Sequence, residues 1–365
     1  NASGDIEVAR GCPAWCSFPL AGDEEFITSE GVQQIQNVVG QTFEVWTPNG
    51  WDKAVVQDHG IQDTQEIVFV PGVVRSKTGR GKCSASRPTH SVTVTATPEH
   101  GWQLRDGSVT HSLQVGDVVP MGAVTEHNTE SRDYHEGMIH GLVFADGSKA
   151  SLPHKTGYRI RLHGHKAQHV GFFENAMGWD ARHLRVVSVT YPDYTKGDPN
   201  IWIKSPGVLL KDFPPAGVST DYLGGFLAGW MAGDATPKYN SRGGERVVTS
   251  YCLASQDPRA GQWLQQHAAA AGWVLIGRYE WLSRETNFGD RSAPLVGYTL
   301  CRPSENRGWV VQSITSSSPQ RVFCLEVPET HRFTLAGGVT TSNCRLSWVT
   351  KPYRQRSVDY MVEFG

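Results

Sequence analysis

The feature that most constrains this chain is a pattern that it carries twice. The stretches "GMIHGLVFADGS" and "GGFLAGWMAGDA" align at a shift of 88 residues, and each holds two glycines in Gly-x-x-x-Gly spacing and a later aspartate. The matched positions are Gly137 with Gly225, Gly141 with Gly229 and Asp146 with Asp234. A strand-like run and then a helical run follow each copy, as in "YRIRLHG" and "KAQHVGFFENA". Such a repeat predicts two similar α+β halves.

The glycines and aspartates of this repeat predict a site between the halves. Gly-x-x-x-Gly gives each helix a smooth face, so two such helices can pack with their backbones unusually close. Asp146 and Asp234 would then meet near the helix C-termini, where the helix dipoles already present negative charge. Two carboxylates placed there repel unless a divalent cation lies between them. A metal site is therefore expected, although a solvated aspartate explains either residue taken alone.

Composition places the chain among ordinary globular proteins. Its 365 residues, 39% of them hydrophobic and 19% charged, are enough for two or three domains. It has no apolar run of about 18 residues and no leader sequence, so neither a membrane partner nor secretion has support. Its seven cysteines are odd in number and scattered, which suits a reducing compartment. We expect a cytoplasmic monomer.

Charge is unevenly distributed along the chain. Residues 149–218 hold 10 Lys and Arg against 5 Asp and Glu, whereas residues 1–136 hold 9 against 18. A locally basic region of this size is typical of contact with a phosphate backbone, and a solvated surface is the alternative. Charge alone leaves DNA contact and a solvated surface equally open.

The repeated stretches resemble a known family. "IHGLVFADG" (139–147) and "LAGWMAGDA" (227–235) resemble the paired LAGLIDADG motifs of homing endonucleases. The resemblance implies an endonuclease over 133–315, with halves of about 133–218 and 219–315. It also implies that Asp146 and Asp234 bind Mg²⁺ and support double-strand cleavage. "LLKDFPP" is similar to a family segment with a functional lysine, here Lys211. Because Ala235 replaces the family's glycine, a domain that only binds DNA stays open.

The flanking segments resemble inteins, which often contain such endonucleases. "LAGDEEFITSEGVQQIQNVVGQ" and "VFCLEVPETHRFTLAGGVTTSNC" resemble their opening and closing blocks. The resemblance implies a mostly β Hint horseshoe splicing domain with the endonuclease inserted in it. Its two parts would be 19–132 and 316–343, and the extein fragments would be 1–18 and 344–365. "TPEH", from Thr97 to His100, matches a T-x-x-H motif whose histidine protonates the departing amide nitrogen at the upstream junction.

Departures from the usual intein pattern resemble class 3 inteins, which carry a dispersed Trp-Cys-Thr triplet. Pro19 stands at the first position in place of Cys or Ser, and the triplet would be Trp102, Cys324 and Thr341. The resemblance implies that the Cys324 thiolate attacks the Phe18 carbonyl and that Trp102 and Thr341 shape its pocket.

The resemblance also assigns the later steps. Cys344 would receive the acyl group and Asn343 would cyclise, assisted by His331; Ser342 stands where the family usually has histidine. Three alternatives remain open: initiation from Cys16 as an ordinary first nucleophile, a Hedgehog-like autoprocessing domain, and an inactive intein.

The junctions suggest a host protein. Removing 19–343 joins the flanks into "GCPAWCSFC", in which Cys12, Cys16 and Cys344 form C-x-x-x-C-x-x-C. This spacing resembles a radical S-adenosylmethionine enzyme, whose three cysteines hold a [4Fe–4S] cluster that binds the cofactor. We expect the cluster and S-adenosylmethionine in the spliced host alone, and no cofactor for splicing. An uninterrupted radical enzyme is disfavoured because the motif is split.

Overall fold

Strands dominate the computed structural model, which describes residues 19–74, 83–85, 90–152, 155–179, 184–191, 198–205, 210–242, 245–281 and 295–343. The first ten strands are β1 (Leu20–Ala21), β2 (Glu25–Thr28), β3 (Gly31–Gln34), β4 (Thr42–Thr47), β5 (Gly50–Val74), β6 (Cys83–Ala85), β7 (Val92–Ala96), β8 (Trp102–Gln103), β9 (Val109–Thr110) and β10 (Val118–Pro120).

Four helices and eleven more strands follow. The helices are α1 (Arg132–Asp146), α2 (Val170–Ala176), α3 (Thr220–Asp234) and α4 (Ala260–His267). The strands are β11 (Ser148–Leu152), β12 (Lys155–Arg161), β13 (Arg185–Thr190), β14 (Asn200–Lys204), β15 (Ala235–Arg242), β16 (Glu245–Ser255), β17 (Val274–Trp281), β18 (Leu295–Cys301), β19 (Arg307–Glu326), β20 (Arg332–Thr334) and β21 (Thr340–Ser342).

A nine-stranded sheet joins the two ends of the described chain. Its order is β10-β19-β1-β7-β5-β4-β2-β3, with β6 added to β5, and the long strands β5 and β19 also pair with each other. In β7, Val92, Val94 and Ala96 are buried while Thr93 is exposed, the alternation expected of a strand with one face in a core. The predicted mostly β character is confirmed.

The predicted repeat is visible as two units of the same topology. Helices α1 and α3 have 15 residues each, and both of their ends are 88 residues apart. The sheet after α1 has the order β11-β12-β14-β13, and the sheet after α3 has the equivalent order β15-β16-β18-β17. Both helices begin at a serine cap: Ser131 accepts from Tyr134 N, and Ser219 accepts from Tyr222 N.

The glycine faces of α1 and α3 bring the two helix backbones into contact. A Cβ built on Gly141 would lie 2.0 Å from Phe226 O, and one on Gly137 would lie 2.2 Å from Tyr222 O. The contact is reciprocal, because a Cβ on Gly225 would lie 2.1 Å from Tyr134 O. No larger residue fits at these positions without moving a helix.

The two halves differ in how they join the large sheet. The first half has a core of its own, which includes Ile139, Phe173 and Ile203. Apolar residues of the second half, such as Trp263 and Val274, belong to the same core as the large sheet. The two halves therefore share a topology, but only the second half shares its hydrophobic core with the large sheet.

The end of the second half differs from the predicted bounds. Residues 307–315, which the sequence pattern assigns to the endonuclease, lie in β19 and pair with β5 and β10 of the large sheet. A strand that runs without a break from 307 to 326 gives no local mark of where a domain begins. None of the helices in the described ranges is long and apolar enough to cross a membrane.

Candidate functional site

Seven of the predicted site residues gather where β1 meets β19. We call this group the junction cluster: Pro19, Thr97, His100, Trp102, Cys324, Thr341 and Asn343. In the pairing of β1 with β19, Leu20 lies opposite Phe323 and Ala21 opposite Val322. Continued by one residue, this antiparallel register sets Pro19 opposite Cys324. Residues separated by some 300 positions therefore meet at one end of a strand pair.

His100 connects the first residue of the cluster with the last strand. Its Nδ1 lies 3.3 Å from Pro19 O, and its Nε2 lies 2.6 Å from Thr341 Oγ1. A carbonyl oxygen only accepts, so Nδ1 carries the proton in this contact. In a neutral imidazole Nε2 then accepts from the Thr341 hydroxyl, which fixes the ring and its tautomer. A donor proton therefore points at the backbone of Pro19.

Thr97 and Trp102 hold the histidine in place. Thr97 N donates to Pro19 O at 3.2 Å, and its carbonyl accepts from His100 N at 3.0 Å. The Trp102 ring packs 4.7 Å from the His100 ring and 5.3 Å from that of Phe69. All three of Thr97, His100 and Trp102 are at most 1% exposed, so this end of the cluster excludes water.

The Leu325 carbonyl joins the thiol to the asparagine. It accepts from Cys324 Sγ at 3.6 Å and from Asn343 Nδ2 at 2.8 Å. Both side chains are buried, and Asn343 Oδ1 has no hydrogen-bond partner among the described residues. The sequence pattern did not indicate Leu325, because its contribution is a backbone atom.

His331 holds the asparagine from the other side. It is the one non-glycine residue among those described with a positive φ, at 54°, and its carbonyl accepts from Asn343 N at 3.0 Å. A histidine in this conformation is strained by about 1–3 kcal/mol, and such strain is common at functional sites. Nδ1 of His331 and Oγ of Ser342 are buried without partners in the described part of the chain.

Four predicted residues cannot be placed. Phe18 and Cys344, on the outer sides of the two junctions, lie outside the described residues, as do Cys12 and Cys16 of the predicted host cluster.

A second group of predicted residues lies at the C-termini of α1 and α3. These helices end at Asp146 and Asp234, which we call the carboxylate pair. A Cβ built on Gly233 would lie 3.3 Å from Asp146 Oδ2, so the ends of the helices are close. Partial desolvation, and then the charge of Asp146, raise the pKa of Asp234. Neighbouring oxygen ligands whose charges repel suit a divalent cation that completes its shell with water.

Two lysines of the first half lie beside the carboxylate pair. Lys166 forms an ion pair with Asp146 and donates to Gly233 O at 3.0 Å, so it bridges the two helices. Lys211 Nζ donates to Phe144 O at 2.6 Å, and desolvation lowers its pKa. The sequence indicated Lys211 but missed Lys166, which lies 20 residues from its partner. No group of three or more His, Cys, Asp or Glu side chains in the described ranges could hold a metal.

Comparisons with known proteins give weak likenesses. No family model and no curated protein matches the chain. A mutant of a variant Ssp DnaB mini-intein is similar over 90% of this chain and 99% of its own, at 9% identity and a TM-score of 0.30. The N-terminal LAGLIDADG domain of DUF199/WhiA is similar over 48% of this chain and 77% of its own, at 10% identity and a TM-score of 0.28.

A third solved structure, the I-LtrWI LAGLIDADG homing endonuclease bound to target DNA, is similar over 46% of this chain and 78% of its own, at 10% identity and a TM-score of 0.24. These TM-scores are all below 0.5, so the likenesses decide nothing about this chain. Its function has to be inferred from the geometry of its own residues.

Proposed function

We propose that the chain is a self-splicing element, which excises residues 19–343 and joins Phe18 to Cys344. The observation that carries the proposal is the pairing of Leu20 with Phe323, a register that, continued by one residue, sets Pro19 opposite Cys324. A thiol near the first residue, a histidine proton aimed at that residue and a buried asparagine are the groups that splicing requires.

The first step is attack on the upstream junction. The Cys324 sulfur forms a bond to the Phe18 carbonyl carbon, and the bond from that carbon to Pro19 N breaks. His100 gives its Nδ1 proton, which already faces Pro19 O, to the departing nitrogen, and the proton released by the Cys324 thiol replaces it, so the imidazole is neutral again at the end of the step. Trp102 and Thr341 keep the imidazole oriented, and burial protects the resulting thioester from water.

The remaining steps use the downstream junction. Cys344 takes the acyl group from Cys324, which exchanges one thioester for another. Asn343 Nδ2 then bonds to its own carbonyl carbon, the bond to Cys344 N breaks, and the excised element ends in a succinimide. The Leu325 carbonyl, which accepts from Nδ2, orients the amide for this closure. An S-to-N shift then forms the peptide bond between Phe18 and Cys344.

Replacing Cys324 tests the proposal. In purified full chain, Cys324→Ala should remove upstream cleavage, the branched intermediate and the spliced product together, as measured by intact mass. Asn343→Ala should stop after transfer, with a thioester that dithiothreitol cleaves. Cys301→Ala is the matched control, because Cys301 is also buried but lies in β18, away from the junction cluster. Its products should equal those of the unaltered chain.

The same experiment separates the two modes of initiation. If Cys324→Ala still released the segment ending at Phe18 on thiol treatment, the proposed first step would be wrong. Initiation from Cys16 would then take its place, and Cys16→Ala should remove the release. Pro19→Ala should splice in either case, since the proline side chain has no chemical task.

We also propose that the carboxylate pair binds Mg²⁺ and supports hydrolysis of double-stranded DNA at the intein-less site of the host gene. Support comes from the adjacent acid groups and the two lysines beside them. Bound Mg²⁺ would polarise a phosphate oxygen and make the attacking water easier to deprotonate. A domain that only binds DNA is the second candidate, favoured by the Lys166 ammonium already paired with Asp146.

Asp146→Asn and Asp234→Asn should each abolish Mg²⁺-dependent cleavage of that DNA, because the metal site loses half of its charge. Splicing should continue, since its groups belong to the junction cluster and not to the carboxylate pair. Glu130→Gln, an exposed acid just before α1, serves as the control and should cut normally. Undiminished cutting by either aspartate variant contradicts the metal assignment, and an unaltered chain that binds but never cuts supports the second candidate.

For the host we propose that the [4Fe–4S] cluster forms only after ligation, in a cytoplasmic protein, because ligation brings Cys344 into sequence with Cys12 and Cys16. Comparable iron incorporation before and after splicing would contradict this order.

A further inference from the structure

A polar cavity of about 260 Å³ opens beside Asp146 in the first half. It is lined by three cationic side chains, a histidine and an asparagine in addition to that acid: Arg159, Arg161, Lys166, His163 and Asn200. His163 pairs with Asp198 at 2.7 Å, and Arg159 lies 4.9 Å over the Trp202 ring. A cavity with this excess of donors next to a metal-binding acid suits a backbone phosphate.

Strand register identifies the equivalent positions of the second half. Ser148 pairs with Arg159 in the first half, and Thr236, which follows α3 as Ser148 follows α1, pairs with Cys252. Cys252 is therefore the counterpart of Arg159.

The same register extends to a second cross-strand pair. Arg161 pairs with Asn200, and the equivalent pair is Ala254 with Gly297. Thus two arginines and an asparagine of the first half correspond to a cysteine, an alanine and a glycine of the second.

Arg159 and Cys252 are 93 residues apart, as are Arg161 and Ala254. The same offset matches His163 with Gln256 and Lys166 with Arg259. Arg259 is the one cation retained, but it bonds to Asp212 and Asp257, each at 2.7 Å. Lys166, in contrast, contacts Asp146 itself. Lys211 also belongs to the first half, so both lysines near the carboxylate pair come from one side.

We propose that the two halves engage the two DNA strands unequally, so that the protein cuts one strand and leaves a nick as its main product. In the cut strand a water oxygen bonds to phosphorus and one P–O bond breaks. The water gives up one proton, and the leaving oxygen takes one. On the other strand, the neutral Cys252 and Ala254 take the positions of the cavity's two arginines. The ammonium of Lys238, which donates to Thr299 opposite Cys252, lies beside them. A phosphate there meets less positive charge than one in the cavity. This inference rests on the proposed endonuclease function.

The test uses the full chain with Mg²⁺ and a supercoiled plasmid that carries the host gene without the codons for 19–343. Nicked circles should accumulate, and end-labelled DNA should show one strand cut at least about tenfold faster than the other, equivalent to 1.4 kcal/mol of barrier. Linear DNA with both strands cut at equal rates would overturn the inference and leave the endonuclease standing. If neither strand were cut, the endonuclease itself would be contradicted.

Exchanging the cavity residues tests whether they cause the difference in cutting rate between the two strands. Arg161→Ala should slow the favoured strand, and Cys252→Arg with Ala254→Arg should speed the other. Lys53→Ala removes an exposed cation from β5 of the large sheet and should change neither strand. If Arg161→Ala slowed both strands equally while its melting temperature was unchanged, the cavity would serve general DNA affinity, and the assignment to one strand would be wrong.

Discussion

At the scale of single residues, the junction cluster depends on contacts between groups that are far apart in the chain. The bond between His100 Nε2 and Thr341 Oγ1, at 2.6 Å, spans 241 positions. Sequence periodicity could not have predicted this hydrogen bond, because the two residues do not lie in one periodic segment. His100 and Thr341 were assigned to one site because the motifs that contain them resemble blocks of the same family. The Leu325 carbonyl was not predicted, because every residue has a backbone carbonyl and the sequence does not distinguish this one.

Thr341→Val should slow release at the upstream junction about tenfold or more. The hydroxyl that orients His100 is lost, and a hydrogen bond of this kind is worth on the order of 1.5 kcal/mol. Thr341→Ser keeps the hydroxyl and should restore most of the rate. The measurement is the time course of dithiothreitol-induced cleavage. Equal rates for the valine and serine variants would mean that Thr341 only fills space.

At the scale of elements, the sequence was most informative about α1 and α3. Their repeated glycines predicted close packing of two backbones, and the structure has carbonyl oxygens where Cβ atoms would otherwise lie. It was least informative about strand lengths. β5 has 25 residues and β19 has 20, because each pairs with neighbouring strands along its length. That pairing is a property of the sheet and not of either segment alone.

Gly141→Ala should lower the free energy of unfolding by about 2 kcal/mol or more, because the added methyl lies 2.0 Å from Phe226 O and overpacking forces the helices apart. Gly171→Ala is the matched control: it lies in α2 and its Cβ would meet no atom within 4 Å. It should raise stability by up to about 1 kcal/mol. Urea unfolding measures both, and equal effects would contradict the close contact.

At the scale of the whole molecule, half-buried titratable groups limit stability on both sides of neutral pH. Burial lowers the pKa of His90 and of His267 to about 4, so their contribution is lost as pH falls from 6.5 toward 4. Burial raises the pKa of Glu24 from 4.5 to about 8, so its contribution is complete below 4.5 and lost as pH rises through 8. The greatest stability is expected near pH 6.5, where the unfolded histidines lose their protons.

Glu24→Gln should remove the loss at the alkaline side. Glutamine keeps an oxygen to accept from Thr95 N, as Glu24 does at 2.7 Å, and no charge has to be buried at pH 9. The urea midpoint, measured at pH 5, 7 and 9, should therefore fall less between pH 7 and pH 9 in the variant than in the unaltered chain. Glu44→Gln, an exposed acid on β4, should follow the unaltered profile. A variant that lost as much stability at pH 9 would exclude Glu24 as the cause.

The core that the second half shares with the large sheet has a consequence for how such a gene can decay. Under the proposed function, once DNA cutting no longer benefits its carrier, the first half, which has a separate core, is expected to accumulate substitutions and deletions with less harm to the large sheet than the second half. The second half is held by Val124 N, which donates to Ala269 O, and by Val274, which packs against Gly338 in the hairpin before Thr341. Selection for splicing alone should therefore preserve it, so shortened descendants would lose the first half and keep the second.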